Sequence, residues 1–434
     1  MLPVGYLPSM TPRSLAARTI LLSVGLAAAA AAGPLVQPAA SGPGPQDDGA
    51  EPRLVVEGLD GKRDVRPVGA GPITSLAAIG AAFVHFEGVS SGAARGAGIA
   101  PEDLCSFELA GGDRLAGAVR GGDGDLLEVE LRGGVSLDLT IDAISSMVFP
   151  GRIPDGVTST PGPGSDGDRL YLVASGSLDL AQGFVEAFTD QGVTFEDERL
   201  GARTFAWDRV AALFITALDE EEGEEPAALS GEPVAVSLRG GGRLSGRLRR
   251  IAGPTEGVDI ALGEGAEVSL PGRIVSEVAL DDGSFRFLGD LAPSNEAPTS
   301  LFGDDLGFAW PMRVDRNVRG GPLVVAGRTY SRGMGVHAPS RLEWELEGAG
   351  WTRFRVRCGV DDTGAKAGSA GAVRFRVFGD GELLWQSDVV RAGAPAQRPS
   401  AMDLTGVAKL VLEVDPAGPF TLDRADWLRP MLVR

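Results

Sequence analysis

Apolar and polar residues alternate with a period of two through most of the chain after residue 105. This is the signature of half-buried strands rather than of amphipathic helices. Residues 107–119 pass through a Gly-Gly-Asp turn, and alternating runs follow at 126–131, 135–140 and 144–149. The same order returns at 234–248, 258–262, 268–270 and 274–278, while 170–215 keeps it more loosely through 193–195, 204–207 and 210–215. Each set offers four or five short strands over about 45 residues, the recurrence expected of a repeated unit. From about residue 299 the alternation sharpens into Leu342/Trp344/Leu346, Phe354/Val356/Cys358/Val360, Val373/Phe375/Val377 and Leu410/Leu412/Val414. Five of the six tryptophans (Trp310, Trp344, Trp351, Trp385 and Trp427) fall here, which predicts a β-sandwich or jelly roll with Trp344 in its core. Gly379-Asp380-Gly381 reads as the turn of a hairpin.

Breaks in the pattern divide the chain. Residues 33–50, rich in Pro, Gly and Ala, read as a disordered leader, and 219–225 holds six acidic residues in seven, as a solvated linker would. The predicted organisation is all-β. An export signal (1–32) and the leader (33–50) come first, then an uncertain segment (51–100) whose Ala-rich run 76–82 fits a short helix or coil. Repeat 1 (101–150), a linker (151–168) and repeat 2 (169–218) follow. An acidic linker (219–230), repeat 3 (231–290) and the sandwich (297–434) complete it. The repeats have the plan of small β-barrels of SH3-like or Sm-like type, which suits a scaffold.

Composition then removes whole classes of function. With 40 basic against 59 acidic residues and a net charge of −19, the chain is no general nucleic-acid binder, because phosphate contacts need a basic face. It has two histidines, so a Ser-His-Asp site must use His85 or His337, and polyhistidine metal sites are nearly excluded. A G-x-G-x-x-G at Gly162, Gly164 and Gly167 lies in a Pro-rich break, not between strand and helix, and is rejected as a nucleotide loop. Asp123-Gly-Asp125 and Asp281-Asp-Gly283 suit turns and do not complete a calcium loop. Asp361-Asp362, following a strand, could hold a structural Ca²⁺ or a sugar hydroxyl, or could simply close a turn. No other cofactor is expected. Arg13 and Arg18 precede a run of about 13 apolar residues that is short for a membrane span of about 20, so the chain reads as exported to a periplasmic, cell-envelope or extracellular location. Cys105 and Cys358 are expected to be unbridged, buried thiols.

Four motifs carry a resemblance. Residues 327–340 (GRTYSRGMGVHAPS), 354–362 (FRVRCGVDD), 373–381 (VRFRVFGDG) and 423–427 (DRADW) occur in the order seen in NPCBM/NEW2 domains. The resemblance implies a galactose-binding-like jelly roll and carbohydrate binding. One departure is Arg424, where the family commonly has His before Ala-Asp-Trp. The functional expectation is an exported, non-catalytic protein that binds a glycan or polysaccharide. The rivals are a structural or protein-interaction role at the envelope, and an unrecognised glycosidase.

A sugar site needs an aromatic face and a few polar groups aimed at hydroxyls, and strand interiors are taken by core residues. The site is therefore expected on loops. The candidates are Trp310, Arg313 and Asp315; Tyr330, Arg332 and His337; and Asp361 and Asp362, with at least two of these three loops meeting at one end of the sandwich. Alternation also suggests that residues 348–352 close a hairpin. Glu343, Glu345 and Glu347 would then face Arg357, Arg355 and Arg353 in an acid–base ladder.

Overall fold

Glycine turns cut the alternating runs into short strands, and the computed structural model pairs them antiparallel. It describes residues 51–67, 69–89, 99–154, 161–197, 199, 201–216, 230–239, 241–263, 266–297, 310–346, 348–366, 369–418 and 422–434. The export signal, the leader and the acidic run lie outside the described residues. Among those residues the helical elements are single 3₁₀ turns, and no helix is long and apolar enough to cross a membrane. The chain divides into two compact units. One contains Gly96–Ser230 and Asp259–Ser269, the other Ala28–Arg95, Gly231–Val258 and Leu270–Arg434.

In the first unit two successive groups of five strands share one plan. Cys105–Leu109 pairs with both the second strand, Arg114–Gly124, and the last, Ile144–Val148. Asp168–Val173 likewise pairs with Leu178–Thr189 and Val210–Phe214. A 3₁₀ turn precedes the last strand of each group, Ile141–Ala143 in one and Trp207–Arg209 in the other. The long second strands bend at bulges, between Val119 and Gly121 and between Val185 and Ala187, where one extra residue raises the local twist. Gly122 is a close-approach position, since a Cβ there would stand 2.5 Å from Phe188 Cβ. Cys105 and Cys358 are buried and free.

In the second unit Pro233–Leu238 pairs with Gly242–Gly253 and Val275–Leu280. The uncertain segment supplies three strands: Arg53–Glu57 pairs with Arg63–Arg66 and with Phe83–Glu87, and the last of these pairs with Val275–Leu280. Within the Ala-rich run 76–82, Ala77–Ile79 forms a 3₁₀ turn.

The C-terminal part of this unit is a jelly-roll-like sandwich. One sheet runs Arg313–Val314, Gly333–His337, Arg424–Val433, Arg353–Val360 and Met402–Asp403, with Phe285–Phe287 added to the long strand. The other runs Asn295–Ala297, Ser340–Glu345, Lys409–Pro416, Ala372–Gly379 and Glu382–Gln386. The sandwich thus reaches back before residue 297. Inward residues of both sheets build one core around Trp344, Phe354, Phe375 and Trp427, and Trp427 meets Phe375 edge-on at 4.9 Å. Burial of each such large apolar side chain contributes roughly 1.5–3 kcal/mol. The Asp380-Gly381 turn has φ of 49° and 84°, as a two-residue hairpin turn requires.

The 348–352 hairpin is not formed. Ser340–Glu345 pairs with Lys409–Pro416, whereas Arg353–Val360 pairs with Arg424–Val433 in the opposite sheet. Leu346 and Phe354 both face the shared core, so the connection crosses between sheets instead of turning within one. The acids find other partners: Glu343 pairs with Arg341 at 2.7 Å and Glu345 with Lys409 at 3.0 Å.

Arg355 instead enters a buried charge cluster. Its Nη2 lies 3.3 Å from Glu57 Oε1, and its Nη1 donates to the carbonyl of Gly58 at 3.3 Å. Gly61, at φ 78°, makes room for this: a Cβ there would meet Arg355 Nη2 at 2.1 Å. His85 stands between two buried carboxylates, with Nε2 3.1 Å from Glu57 Oε2 and Nδ1 3.2 Å from Glu277 Oε2. Arg429, from the long sandwich strand, also pairs with Glu277 Oε2, and its guanidinium lies 4.4 Å from the Phe83 ring centroid. Burial alone would raise both carboxyl pKa values. The Arg429 charge and the His85 hydrogen bond outweigh it, holding Glu277 at about 2 and Glu57 well below the carboxylate range.

Candidate functional site

The Gly-rich motif becomes the strand Gly333–His337, laid between Arg313–Val314 and the long strand Arg424–Val433. Glycine at 335 is a packing requirement, because a Cβ would stand 2.5 Å from the carbonyl of Arg316 and from Asn317 Cα. The loop 315–318 can therefore lie directly on the strand. His337 ends the strand at 2% exposure and is covered by Trp310, whose ring stacks on it at 5.5 Å and 24°. His337 Nδ1 donates to the Ala338 carbonyl at 2.8 Å. Burial lowers the imidazole pKa; the Ala338 bond opposes this, and the nearby Arg424 charge adds to it.

Asp361 and Asp362 close the adjacent loop, and both carboxylates are occupied by local donors. Asp361 is fully buried. It accepts from Asn317 Nδ2 at 3.3 Å, Val324 N at 3.1 Å and Thr363 N at 2.9 Å. Asp362 accepts from the amides of Ala326 and Gly327 at 2.8 Å each. The pair thus ties down the hairpin of Leu323–Val325 and Arg328–Tyr330. The buried Asp426 has its pKa pushed well above the carboxylate range, first by burial and then by the charge and hydrogen bond of Asp361. Among the described residues no group of three or more His, Cys, Asp or Glu is placed to hold a metal ion. Asp362→Ala is expected to destabilise the protein by about 1–3 kcal/mol, the cost of losing charge-assisted bonds to two amides. Hydrogen exchange at Ala326 and Gly327 should accelerate while exchange at Phe375 stays slow.

The sequence candidates therefore separate. Trp310, His337 and Asp361–Asp362 gather at one end of the sandwich, joined by the Trp310–His337 stack and the Asn317–Asp361 bonds. Arg332 lies at the start of the same strand. It pairs with Asp290, lies 3.5 Å from Asp315, and its guanidinium sits 4.5 Å from the Phe287 ring centroid. Asp315 accepts from Gly333 N at 3.0 Å. Arg313 is exposed and donates to the Val318 carbonyl at 3.0 Å. Tyr330 is buried in a small cluster with Leu323, Val325 and Leu428.

Two residues outside the candidate set belong to the gathered end. Arg424 sits opposite His337 in register and donates to the Thr363 carbonyl, while its buried Nε has no hydrogen-bond partner. Burial and then the neighbouring Arg319 charge lower its pKa, with Asp361 opposing. Arg319 is exposed. The departure from the family pattern at 424 was the one sequence signal pointing here. Nothing in the sequence marked Arg319. The end thus combines a half-exposed indole with guanidinium donors over a firmly bonded base.

Comparison with known proteins places an NPCBM/NEW2 domain at residues 288–433. Alpha-1,3-galactosidase B of Akkermansia muciniphila is 34% identical over 118 residues, 27% of this chain and 14% of that protein. A putative endo-alpha-N-acetylgalactosaminidase of Renibacterium salmoninarum is 35% identical over 99 residues, 23% of this chain and 6% of that protein. The chain therefore spans a small part of the curated relatives it matches. Among solved structures, the CBM51 of Clostridium perfringens GH95, in complex with methyl-galactose, is 20% identical. It covers 34% of this chain and 99% of that chain, with a TM-score of 0.30.

Proposed function

We propose that this chain, through the NPCBM/NEW2 domain that occupies residues 288–433, is an exported, non-catalytic glycan-binding protein whose ligand meets the Trp310 end of the sandwich. The observation that carries this reading is the half-exposed Trp310 ring held flat on His337, which faces Arg424 across the strand pair, with the Arg319 charge acting on Arg424. An indole face packs against the C–H face of a sugar ring, and guanidinium groups donate to its oxygens. His337, Asp361 and Asp362 then position the face and do not touch the ligand. The names of the two curated relatives favour a galactose or N-acetylgalactosamine residue as the terminal sugar. The five-strand groups, each with its first strand bonded to its second and last, serve in this reading as SH3-like or Sm-like barrels that carry the module.

The test is titration of galactose- and N-acetylgalactosamine-terminated glycans into the full chain. The full chain is required because a fragment cut at 297 loses Phe285–Phe287 and most of Asn295–Ala297 from the sandwich sheets. Trp310→Ala is expected to weaken binding at least tenfold, about 1.4 kcal/mol, with unchanged thermal stability within a few degrees. Absence of binding across a broad glycan array, or binding indifferent to Trp310→Ala, would overturn the assignment.

A further inference from the structure

A cavity of about 420 Å³ lies in the second unit, away from the Trp310 end, and its walls include Ser237, Arg243, Glu277, Phe285, Phe287 and Arg332. Its size falls within the roughly 300–1,000 Å³ of small-molecule sites. Glu277 gives it chemical direction. One oxygen, Oε2, is saturated by His85 and Arg429. The other, Oε1, is buried without a hydrogen-bond partner on a side chain that is 1% exposed. Nη2 of Arg429 is likewise buried without an acceptor. On the other walls Arg243 pairs with Asp281 at 3.0 Å and Asp290 at 3.5 Å while its Nε is buried with no hydrogen-bond partner, and Arg332 pairs with Asp290 and, through Nε, lies 3.5 Å from Asp315. A buried polar atom left unpaired costs about 1–3 kcal/mol, so the cavity favours an occupant that supplies the missing partners.

We propose that this cavity is a second binding site, independent of the sandwich end, for a neutral polyhydroxylated ligand of the size of one monosaccharide. The occupant must donate to Glu277 Oε1 and accept from Arg243 Nε. A carboxylate cannot donate, and Glu277, Asp281 and Asp290 repel it and a phosphate anion alike. An ammonium cannot accept and meets Arg243 and Arg332. A hydroxyl does both, and several on one ring reach several walls. Phe285 and Phe287 supply the apolar wall that the C–H face of such a ring needs.

The experiment uses the full chain carrying Trp310→Ala, which removes the sandwich-end site, so the two readings fail separately. D-galactose and N-acetyl-D-galactosamine are titrated calorimetrically, with acetate as the anionic control. One equivalent of sugar is expected to bind, and acetate is not. Adding Ser237→Leu, which fills the cavity, or Arg243→Gln, which removes a donor wall, should each weaken binding at least tenfold. Arg243 is partly exposed and keeps the test valid should Ser237→Leu not fold. Absence of sugar binding by the Trp310→Ala chain overturns the site, since the cavity then holds water alone or closes as Glu277 meets both Arg429 nitrogens. So does sugar binding unaffected by Arg243→Gln, or acetate binding more tightly than sugar.

Discussion

Arg429→Met is expected to lower the unfolding free energy by roughly 3–5 kcal/mol, the usual cost of removing one partner from a buried ion pair. Glu277 is 1% exposed and Glu57 is 2% exposed, so neither can recover its hydration when a counter-charge is lost. Arg429 also contributes its stem and a cation–π contact to Phe83, which methionine replaces only in part. Its φ of 49° is unfavourable for arginine and methionine alike, so backbone strain cancels between the two. Urea midpoints measure the effect. Arg429→Met with Glu277→Met should recover most of the loss, because an apolar pair of similar volume needs no desolvation compensation. Arg341→Met is the surface control. Arg341 pairs with Glu343 and Glu413 but is 45% exposed, and its loss should cost less than about 1 kcal/mol. Equal effects at 429 and 341 would show that the buried cluster carries no special weight.

The contrast between those two arginines also measures what was legible in the chain. Alternation identified which residues of 342–346 and 354–360 face inward, and Trp344, Phe354 and Cys358 are buried as that phase requires. Period two says nothing about which of two facing sheets a strand joins. Alternation therefore sets Arg355 opposite Glu345, whereas it reaches Glu57, nearly three hundred positions away along the chain. Glu57 shares its phase with Val55, and Glu277 with Val275 and Ala279, so alternation puts both acids on inward faces but cannot name the partners that hold them there. At the sandwich end, residue chemistry named loops of which Trp310, His337 and Asp361–Asp362 lie together, but not the contacts these residues make. Asp361 and Asp362 have the donors and burial of a turn, and His337 lies beneath Trp310. Arg424 stood out only by departing from the family motif, and Arg319 is one exposed arginine among many.

The same cluster predicts a steep acid limb in the stability profile. Glu277 and Glu57 have folded-state pKa values below that of an unfolded glutamate, so their contribution is complete above about pH 5 and is lost as pH falls. For Glu277 the change from 4.5 to about 2 corresponds to on the order of 3 kcal/mol, released between about pH 5 and pH 2. Asp426 acts with the opposite sign. Burial first, then Asp361, raises its pKa well above 3.8, so the folded state prefers it protonated, and it increasingly destabilises the fold as pH rises past that value. Thermal melts from pH 2 to pH 8 separate the two. Glu277→Gln should flatten the acid limb while lowering stability at pH 7, because an amide cannot balance Arg429. Asp426→Asn keeps a hydrogen-bond donor for Asp361 and removes the titration. That variant should be more stable than the parent protein at pH 7, and the difference should close below about pH 4, where the aspartate of the unfolded chain also holds its proton. A lower melting temperature for Asp426→Asn at pH 7 would mean that Asp426 is ionised in the fold and that Asp361 is not its partner.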